Sequence, residues 1–409
     1  MITTIVALLA MQTAAEGRFD QAVRLIRLDD VWVQTSDPGR RAAAVPEISS
    51  AVMAFFANRT GDASRSLDMA RAALASTEPS PTDAITLIPW PRLLDANETA
   101  YVVARRTYGN GAFSVNGVSV SDAVSEPIPV TLREDGTAAV ALKVGDQETT
   151  QNVRFFVAPN VDERIKAIDH GATQRTAAYL REVRGAPISA YAPTDDRRFL
   201  ETAEKVAAST TPRDRLLLPI ADHQSVIFRL AVPDPLPPGP VTVVIALHGA
   251  GGNEHMFMDS LGRGLGAKEA MRRGWIFASP QSRPNAPAAI VDWLRTVAGV
   301  DVGRVFVMGH SAGGAASLQA PAMDPPVSAI ALFAPAAPSI PDRYAETPIF
   351  LAVGAQEMPM LRTMSQRLGS GFKDQPYREF KEYENSEHLM IVADALSDAF
   401  RFFDRVAAR

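Results

Sequence analysis

The chain has 409 residues, of which 46% are hydrophobic and 21% are charged, and its formal net charge is −5. This composition is typical of a globular protein with enough apolar material for a large core. The slight negative charge provides no basic surface for nucleic acid and no polybasic patch for a membrane surface. Because cysteine is absent, the fold uses no disulfide, no thiolate metal site and no cysteine nucleophile.

Residues 1–11 form an apolar stretch, and small residues follow it at Ala14 and Ala15. The stretch is typical of the hydrophobic part of a signal peptide, but the basic residues expected at the start are missing. It favours export to the periplasm or beyond, and the alternative is a cytoplasmic protein whose first helix packs in the core. The stretch is too short to span a bilayer, and no other segment reaches about 20 apolar residues.

The residue pattern divides the chain into four parts, and the first three precede residue 213. Residues 1–80 are rich in helix formers at amphipathic spacing and predict a helical region. Residues 81–160 contain short β-rich runs separated by turn residues, which predicts a small β-sandwich. We place these runs at residues 99–104, 128–132, 138–142 and 153–157. Residues 161–212 return to a helical pattern and are interpreted as a linker.

Residues 213–409 alternate strands with helices, which predicts a parallel sheet with helices on both faces. The run at residues 241–247 is continuously apolar, as expected for a strand buried on both faces. Similar runs follow at residues 275–278, 305–308, 329–333 and 349–353. A Pro-rich segment at residues 233–240 is expected to join an early antiparallel pair to this parallel core. Residues 389–406 are predicted to form a last helix that packs on the sheet.

The pentapeptide Gly309-His310-Ser311-Ala312-Gly313 fits the pattern G-x-S-x-G, between a predicted buried strand and an Ala-rich helical stretch. In that context the serine lies on a sharp turn with its hydroxyl exposed, and the glycines relieve crowding on each side. We predict that Ser311 is a nucleophile and that His310 is a packing and hydrogen-bonding residue. The alternative is a purely structural turn between a strand and a helix.

A glycine-rich stretch follows the strand at residues 241–247, and it reads His248-Gly249-Ala250-Gly251-Gly252. Backbone N–H groups in such a loop can stabilise the negative charge that develops on the oxygen of an attacked acyl group. We therefore predict that the oxyanion donors are Ala312, Ala250 and Gly251. A phosphate-binding loop is the alternative, but Glu254 stands where a dinucleotide motif needs glycine, and no P-loop lysine follows.

A serine nucleophile needs a base, usually a histidine oriented by a carboxylate. In a fold whose nucleophilic serine lies on such a turn between a strand and a helix, the chain order is serine, acid and histidine. Of the six histidines only His388 follows Ser311, and it is the predicted base. Glu357 lies just past the end of a buried strand and is the predicted acid, with Asp342 as the alternative. Glu387, beside the histidine, is expected to face solvent.

The glycine-rich stretch 248–252 and residues 301–314, which contain the pentapeptide, resemble esterases related to polyhydroxybutyrate depolymerases and feruloyl esterases. Bacterial proteins described as predicted peptidases share this pattern. The resemblance covers roughly the last half of the chain. It implies a triad of Ser311, Glu357 and His388, no cofactor, and ester hydrolysis through an acyl-enzyme. The usual acid in this group is aspartate, whereas the matching residue here is a glutamate.

These observations predict an α/β-hydrolase with a doubly wound, mostly parallel sheet, preceded by a helical segment and a small β-sandwich. The expected activity is hydrolysis of a small-molecule or polymeric carboxylic ester, with no metal and no nucleic-acid partner. A serine peptidase using the same triad is one alternative, although the β-rich segment is too short for the propeller that peptidases of this fold usually carry. A non-catalytic binding protein is the other, although all three triad candidates are present.

Overall fold

The computed structural model describes residues 2–186, 194–372, 375 and 377–409, with side chains from Arg18 onward. The predicted helical segment 161–212 therefore includes residues 187–193, which lie outside the described ranges. The chain divides into two compact units. The first comprises Met1–Leu28 and Ser50–Ala207, and the second comprises Asp29–Ser49 and Ala208–Arg409.

The first part of the chain contains six helices among the described residues, and the predicted N-terminal helical segment is present. They are α1 Ile2–Gln34, α2 Pro38–Phe56, α3 Thr60–Ala75, α4 Val161–Ala167, α5 Gln174–Gly185 and α6 Asp196–Ala208. Helices α1 and α2 each contribute residues to both units, and α6 ends one residue beyond the first unit. A buried ion pair joins two distant segments of the first unit, because Arg92 binds both carboxylate oxygens of Asp196 at 3.0 Å.

Nine short strands lie between α3 and α4. They are β1 Ile85–Trp90, β2 Leu93–Asp95, β3 Ala100–Arg106, β4 Phe113–Val115, β5 Val118–Val120, β6 Ile128–Val130, β7 Thr137–Val144, β8 Gln147–Arg154 and β9 Phe156–Ala158. The run predicted at residues 153–157 is interrupted at Phe155, where β8 ends and β9 begins. Within the described ranges the strands form a three-stranded sheet β1-β3-β6, a four-stranded sheet β5-β4-β7-β8 and a pair β2-β9. Side chains of the first two sheets share one apolar core, with Leu87 and Val102 from one sheet and Val115 and Val140 from the other.

The second unit is built on an eight-stranded mixed sheet. Its strands are β10 Ala221–His223, β11 Val226–Ala231, β12 Val241–Leu247, β13 Ile276–Pro280, β14 Val302–His310, β15 Val327–Phe333, β16 Ile349–Gly354 and β17 Arg378–Tyr383. Its helices are α7 Met256–Asp259, α8 Leu265–Arg272, α9 Ala286–Thr296, α10 Ala312–Leu318, α11 Pro359–Ser370 and α12 Ile391–Ala407. The predicted strand–helix alternation is therefore present.

The strand order is β10-β11-β13-β12-β14-β15-β16-β17. Strand β11 pairs antiparallel with β10 and β13, and the strands from β13 to β17 are parallel to one another. This confirms an early antiparallel pair ahead of a parallel core. After β12 the chain moves to β13 on one side and then crosses to β14 on the other. Ligands of open α/β sheets bind at such a reversal, outside the carboxyl ends of the strands.

Strand β15 illustrates why the parallel strands are apolar throughout. Ala331 and Phe333 pack in a cluster with α12, whereas Ile330 and Leu332 pack on the other face with residues of α10 and α11. Both faces are covered by helices, so alternation of polar and apolar residues disappears. In α12 the residues Val392, Leu396, Phe400 and Phe403 are fully buried against the sheet, as the helical spacing predicts.

We expect Phe403→Ala to destabilise the second unit by about 3–5 kcal/mol, because a buried phenyl ring is replaced by a cavity. The ring of Phe403 stacks on Phe306 with centroids 4.5 Å apart. The measurement is the free energy of unfolding in urea. Arg401→Ala on the same helix is the control: its side chain is exposed and pairs only with Asp398, so its loss should cost less than about 1 kcal/mol. Equal losses for both variants would contradict this account of the core.

Candidate active site

Ser311 lies between the end of β14 and the start of α10, at the carboxyl edge of the sheet. Its backbone has φ 52° and ψ −119°, a conformation that is strained for a residue with a side chain. Backbone hydrogen bonds hold this turn. The Ser311 N–H donates to Phe333 O at 3.0 Å, and Ser311 O accepts from Gly314 N and Ala336 N, each at 3.0 Å.

The two glycines of the pentapeptide are required by close backbone approaches. A Cβ on Gly309 would lie 2.4 Å from Gly313 O, and a Cβ on Gly313 would lie 2.1 Å from Leu247 O. Real Cβ atoms essentially never come this close to backbone atoms. The glycine spacing of the motif thus reflects tight packing of β14, α10 and the end of β12 around the serine.

The predicted oxyanion donors lie on the two loops that meet at this point. Within the described ranges, the backbone N–H groups of Ala250, Gly251 and Ala312 donate to no protein group. Ala312 begins α10, and the first N–H groups of a helix have no intrahelical partner. A Cβ on Gly249 would lie 3.3 Å from the Ser311 Cβ, so the glycine-rich loop runs directly beside the serine. The arrangement can donate hydrogen bonds to an anionic oxygen.

His248 fixes the glycine-rich loop and stays neutral. Its Nε2 accepts a hydrogen bond from the Ser282 N–H at 3.1 Å, and its Nδ1 lies 2.7 Å from Gly249 O. A backbone N–H can only donate and a carbonyl can only accept, so Nε2 is unprotonated and Nδ1 carries the proton. Burial lowers the pKa of His248, in agreement with this assignment. The ring therefore ties the loop after β12 to the loop after β13.

His388 and Glu357 form a buried pair. The His388 Nδ1 lies 3.0 Å from Glu357 Oε1 and 2.9 Å from Oε2, and both side chains are buried. The Met358 N–H also donates to Glu357 Oε1 at 2.8 Å. A carboxylate accepts only, so Nδ1–H is the donor and Nε2 is left free to accept a proton. Asp342, the alternative acid, is exposed on a short 3₁₀ turn and makes no contact with His388.

The loops that carry Glu357 and His388 are packed directly on each other. The Gln356 N–H donates to Ser386 O at 3.1 Å, and the Ala355 N–H donates to Tyr383 O at 2.8 Å. A Cβ on Gly354 would lie only 2.2 Å from Ser386 O. A glycine at the end of β16 is therefore needed to bring the glutamate beside the histidine.

His310 connects the serine turn to the base. Its Nε2 lies 2.7 Å from His388 O, and the two rings are 4.8 Å apart. Since a carbonyl only accepts, His310 Nε2 carries the proton, and the sequence interpretation of this residue as a hydrogen-bonding one is confirmed. Among the described residues no hydrogen bond joins Ser311 Oγ to His388 Nε2. Catalytic hydrogen bonds are often long before substrate binds.

Glu387 was expected to face solvent, and that expectation is wrong. Its side chain is fully buried, and its two oxygens accept hydrogen bonds from Leu389 N and Met390 N, both at 2.8 Å. Helix α12 begins at Ile391, so the carboxylate lies at its start. A carboxylate just ahead of a helix is a known capping signal, so the sequence could have identified Glu387 as a possible cap, although not its burial.

The described part of the chain shows neither a metal-binding cluster nor a membrane-spanning helix. No group of three or more histidine, aspartate or glutamate side chains there is arranged to hold a metal ion. Nor does any helix in those ranges have the length and apolar character needed to cross a lipid bilayer.

The strand order, the serine turn and the buried acid–histidine pair are together features of an α/β-hydrolase fold. Residues 266–397 match the family model of the dienelactone hydrolase family. The matched segment includes the serine turn, Glu357 and His388, but it is less than half of the chain. None of the curated proteins matches the chain.

Several solved structures are similar to a little less than half of the chain. Est1E from Butyrivibrio proteoclasticus has 14% identity and a TM-score of 0.37, over 46% of this chain and 98% of its own. A dienelactone hydrolase from Anabaena variabilis has 17% identity and a TM-score of 0.35, over 44% and 91%. Esterase 2 from Thermogutta terrifontis has 13% identity and a TM-score of 0.36, over 45% and 92%.

The buried neutral His310 predicts a loss of stability in acid. Burial, reinforced by the neighbouring His388, lowers the pKa of His310 to about 3, whereas an unfolded histidine titrates near 6.5. Its contribution to stability is therefore complete above about pH 6.5 and is lost as the pH falls towards 3. Between pH 7.5 and 5.0 we expect His310→Gln to gain about 2 kcal/mol in unfolding free energy relative to the unmodified chain.

Urea unfolding at the two pH values measures this difference. Glutamine retains an amide that can donate to His388 O but cannot titrate. The exposed His170→Gln variant serves as the control and should follow the unmodified chain at both pH values. The prediction would be contradicted if the difference in unfolding free energy between His310→Gln and the unmodified chain were the same at pH 7.5 and 5.0.

Proposed function

We propose that the protein is a serine hydrolase that cleaves carboxylic esters through an acyl-enzyme intermediate. The observation that carries the proposal is the buried pair in which His388 Nδ1 contacts both oxygens of Glu357. This pair leaves Nε2 as a base, next to a strained serine turn and a loop with free backbone donors. Ser311 is the proposed nucleophile, His388 the base and Glu357 the acid.

In the first half-reaction, Ser311 Oγ attacks the ester carbonyl carbon and His388 Nε2 takes the hydroxyl proton. The Glu357 carboxylate holds the imidazole in the required tautomer and stabilises the imidazolium that forms. The carbonyl oxygen becomes an oxyanion, which the N–H groups of Ala312 and of Ala250 or Gly251 stabilise. One such donor is worth about 3 kcal/mol in the transition state.

The tetrahedral intermediate then collapses. The bond to the alcohol oxygen breaks, and His388 returns its proton to the leaving alkoxide, which departs as the alcohol. In the second half-reaction His388 removes a proton from water, and the resulting nucleophile attacks the acyl carbon. The Ser311 ester bond breaks, and the proton on His388 passes to Ser311 Oγ as the carboxylic acid is released. No metal or organic cofactor is needed for any of these steps.

The matched family name supports an ester as the substrate class, because a lactone is a cyclic ester. We retain the finer resemblance to polyhydroxybutyrate depolymerases and feruloyl esterases as part of the proposal, with either a small-molecule or a polymeric ester as substrate. A peptidase using the same residues is the second candidate, since the same triad also cleaves amides.

We also propose the division of the chain suggested by its sequence. The sequence predicts a catalytic domain at residues 213–409, a helical region at residues 1–80 and a helical linker at residues 161–212. The shared apolar core of the sheets β1-β3-β6 and β5-β4-β7-β8 supports a small β-sandwich at residues 81–160. Export of the protein stays a prediction.

The nucleophile can be tested with p-nitrophenyl butyrate and a panel of peptide substrates. Ser311→Ala should lower ester kcat/KM by about 10⁴-fold or more, because the covalent intermediate cannot form. The exposed Ser370→Ala variant at the end of α11 is the matched control and should retain full activity. Ester hydrolysis that survives Ser311→Ala would refute the mechanism, and peptide turnover above ester turnover would favour the peptidase.

The acid can be tested by comparing two isosteric substitutions. Glu357→Gln should lower kcat by about 10³–10⁴-fold, because the amide no longer selects the productive tautomer or stabilises the imidazolium. Asp342→Asn should change kcat less than about threefold, since Asp342 is exposed and does not contact His388. Steady-state kinetics with a single ester is sufficient. A large loss confined to Asp342→Asn would reverse the assignment.

A further inference from the structure

Glu387 binds the turn that follows the proposed base. Its carboxylate accepts hydrogen bonds from Leu389 N and Met390 N, and its main-chain carbonyl accepts one from Ile391 N at 3.1 Å. Three successive N–H groups after His388 are therefore held by one residue. Because His388 lies inside this closed turn, its backbone direction depends on where the Glu387 carboxylate is.

No cation neutralises this carboxylate. Within the described ranges Glu387 makes no salt bridge to lysine or arginine, and its side chain is fully buried. The charged and titratable groups that act on it are His388 and Glu357. On its other side the His388 ring faces His310, which in turn is close to His248. The two buried histidines stay neutral, whereas the carboxylates of Glu357 and Glu387 both interact with the base.

A buried carboxylate without a cation is costly, since removal of its hydration is only partly offset by two backbone hydrogen bonds. Burial raises the pKa of Glu387 to about 7. Above neutral pH it is therefore predominantly ionised, in the range where a histidine base is active. An ordinary helix cap needs no such burial, because an exposed serine or aspartate caps a helix equally well. The position of Glu387 thus calls for a role in addition to capping.

We propose that Glu387 is a positioning residue for His388, which fixes the turn that carries the base and adds a second negative charge beside its imidazolium. The proposal rests on the proposed serine-hydrolase function. It adds to the triad a residue that touches neither the substrate nor the serine and acts only through the histidine. Glu357 would orient the ring through Nδ1, and Glu387 would orient the backbone and contribute charge.

Glu387→Gln separates this role from a purely structural one. The variant should lower kcat about 10-fold with KM within about twofold, because the base is affected and substrate contacts are not. Loss of the charge makes the imidazolium less stable, so the acid limb of the kcat/KM profile should move to lower pH. We expect a shift of about half a pH unit or more, since Glu387 is only partly ionised over that range.

Two further variants separate the effect of the Glu387 charge from the effect of the turn geometry. Glu387→Asp keeps the charge but shortens the side chain, so kcat should fall while the acid limb stays near its original position. Glu384→Gln removes an exposed carboxylate from the same loop and should change neither quantity. If Glu387→Gln lowers only the unfolding temperature and leaves the acid limb unchanged, Glu387 is a helix cap alone and the proposal is overturned.

A readout that does not need turnover distinguishes failure of this proposal from failure of the proposed function. In a Ser311→Ala background, the His388 imidazole is titrated by NMR with and without Glu387→Gln. The midpoint should move to lower pH in the double variant, and an unchanged midpoint overturns the proposal even if the protein is an esterase. Absence of ester hydrolysis by the unmodified protein would refute the proposed function while leaving the midpoint shift measurable.

Glu387→Gln could also fail to fold, and the unmodified chain then provides the test. The ¹³C-labelled carboxyl group of Glu387 and the His388 ring are titrated together. Two charges in direct interaction must each perturb the titration of the other. Independent single-step curves for the two groups would overturn the proposal.

Discussion

The buried contact between His388 and Glu357 is the interaction on which the rest of the site depends. A carboxylate and an imidazole both lose hydration here. The loss is offset because His388 Nδ1 lies within 3.0 Å of both carboxylate oxygens and because the Met358 N–H donates to one of them. The geometry also selects one tautomer, which leaves Nε2 free to accept a proton. A small displacement of either loop would break the contact between His388 and Glu357 and leave a buried carboxylate without the histidine.

The sheet and the close packing of backbone segments around it fix the relative positions of the loops that carry the site residues. Parallel strands end at the same edge, so β12, β14, β16 and β17 bring the glycine-rich loop, the serine turn, the proposed acid and the proposed base to one side of the second unit. Two glycines allow contacts that no other residue could make, Gly313 beside Leu247 O and Gly354 beside Ser386 O. The glycines therefore allow the loops to approach closely, and the polar side chains of the site interact across these short distances.

The sequence was most informative where a strand is buried on both faces. The run at residues 241–247 coincides with β12, and the predicted parallel strands after it differ from the observed ones mainly at their ends. Glu357 could be placed at the carboxyl edge of the sheet because a buried strand ends at Gly354, three residues earlier. In the first unit, by contrast, strands such as Phe113–Val115 and Val118–Val120 have only three residues. Such strands are too short for a periodic pattern, so the sequence did not reveal them.

Glu387 shows a different limit of prediction from sequence. A charged residue next to a loop histidine suggests exposure, and only the three-dimensional path of the turn reveals that both of its oxygens point inward, to Leu389 N and Met390 N. Local sequence identifies a possible cap, but burial depends on α12 packing against the sheet through residues far along the helix.

The ionisable groups near the base are arranged so that positive charge can develop on one of them alone. His248 and His310 are held neutral, since burial lowers the pKa of each and each uses a ring nitrogen in a fixed hydrogen bond. A protonated neighbour would repel the imidazolium of His388, so their neutrality favours proton transfer to that residue. Glu357 and Glu387 act in the same sense, because each negative charge attracts an imidazolium. The electrostatic environment and the backbone packing thus lead to the same result, a histidine that takes up a proton within a site whose other histidines do not.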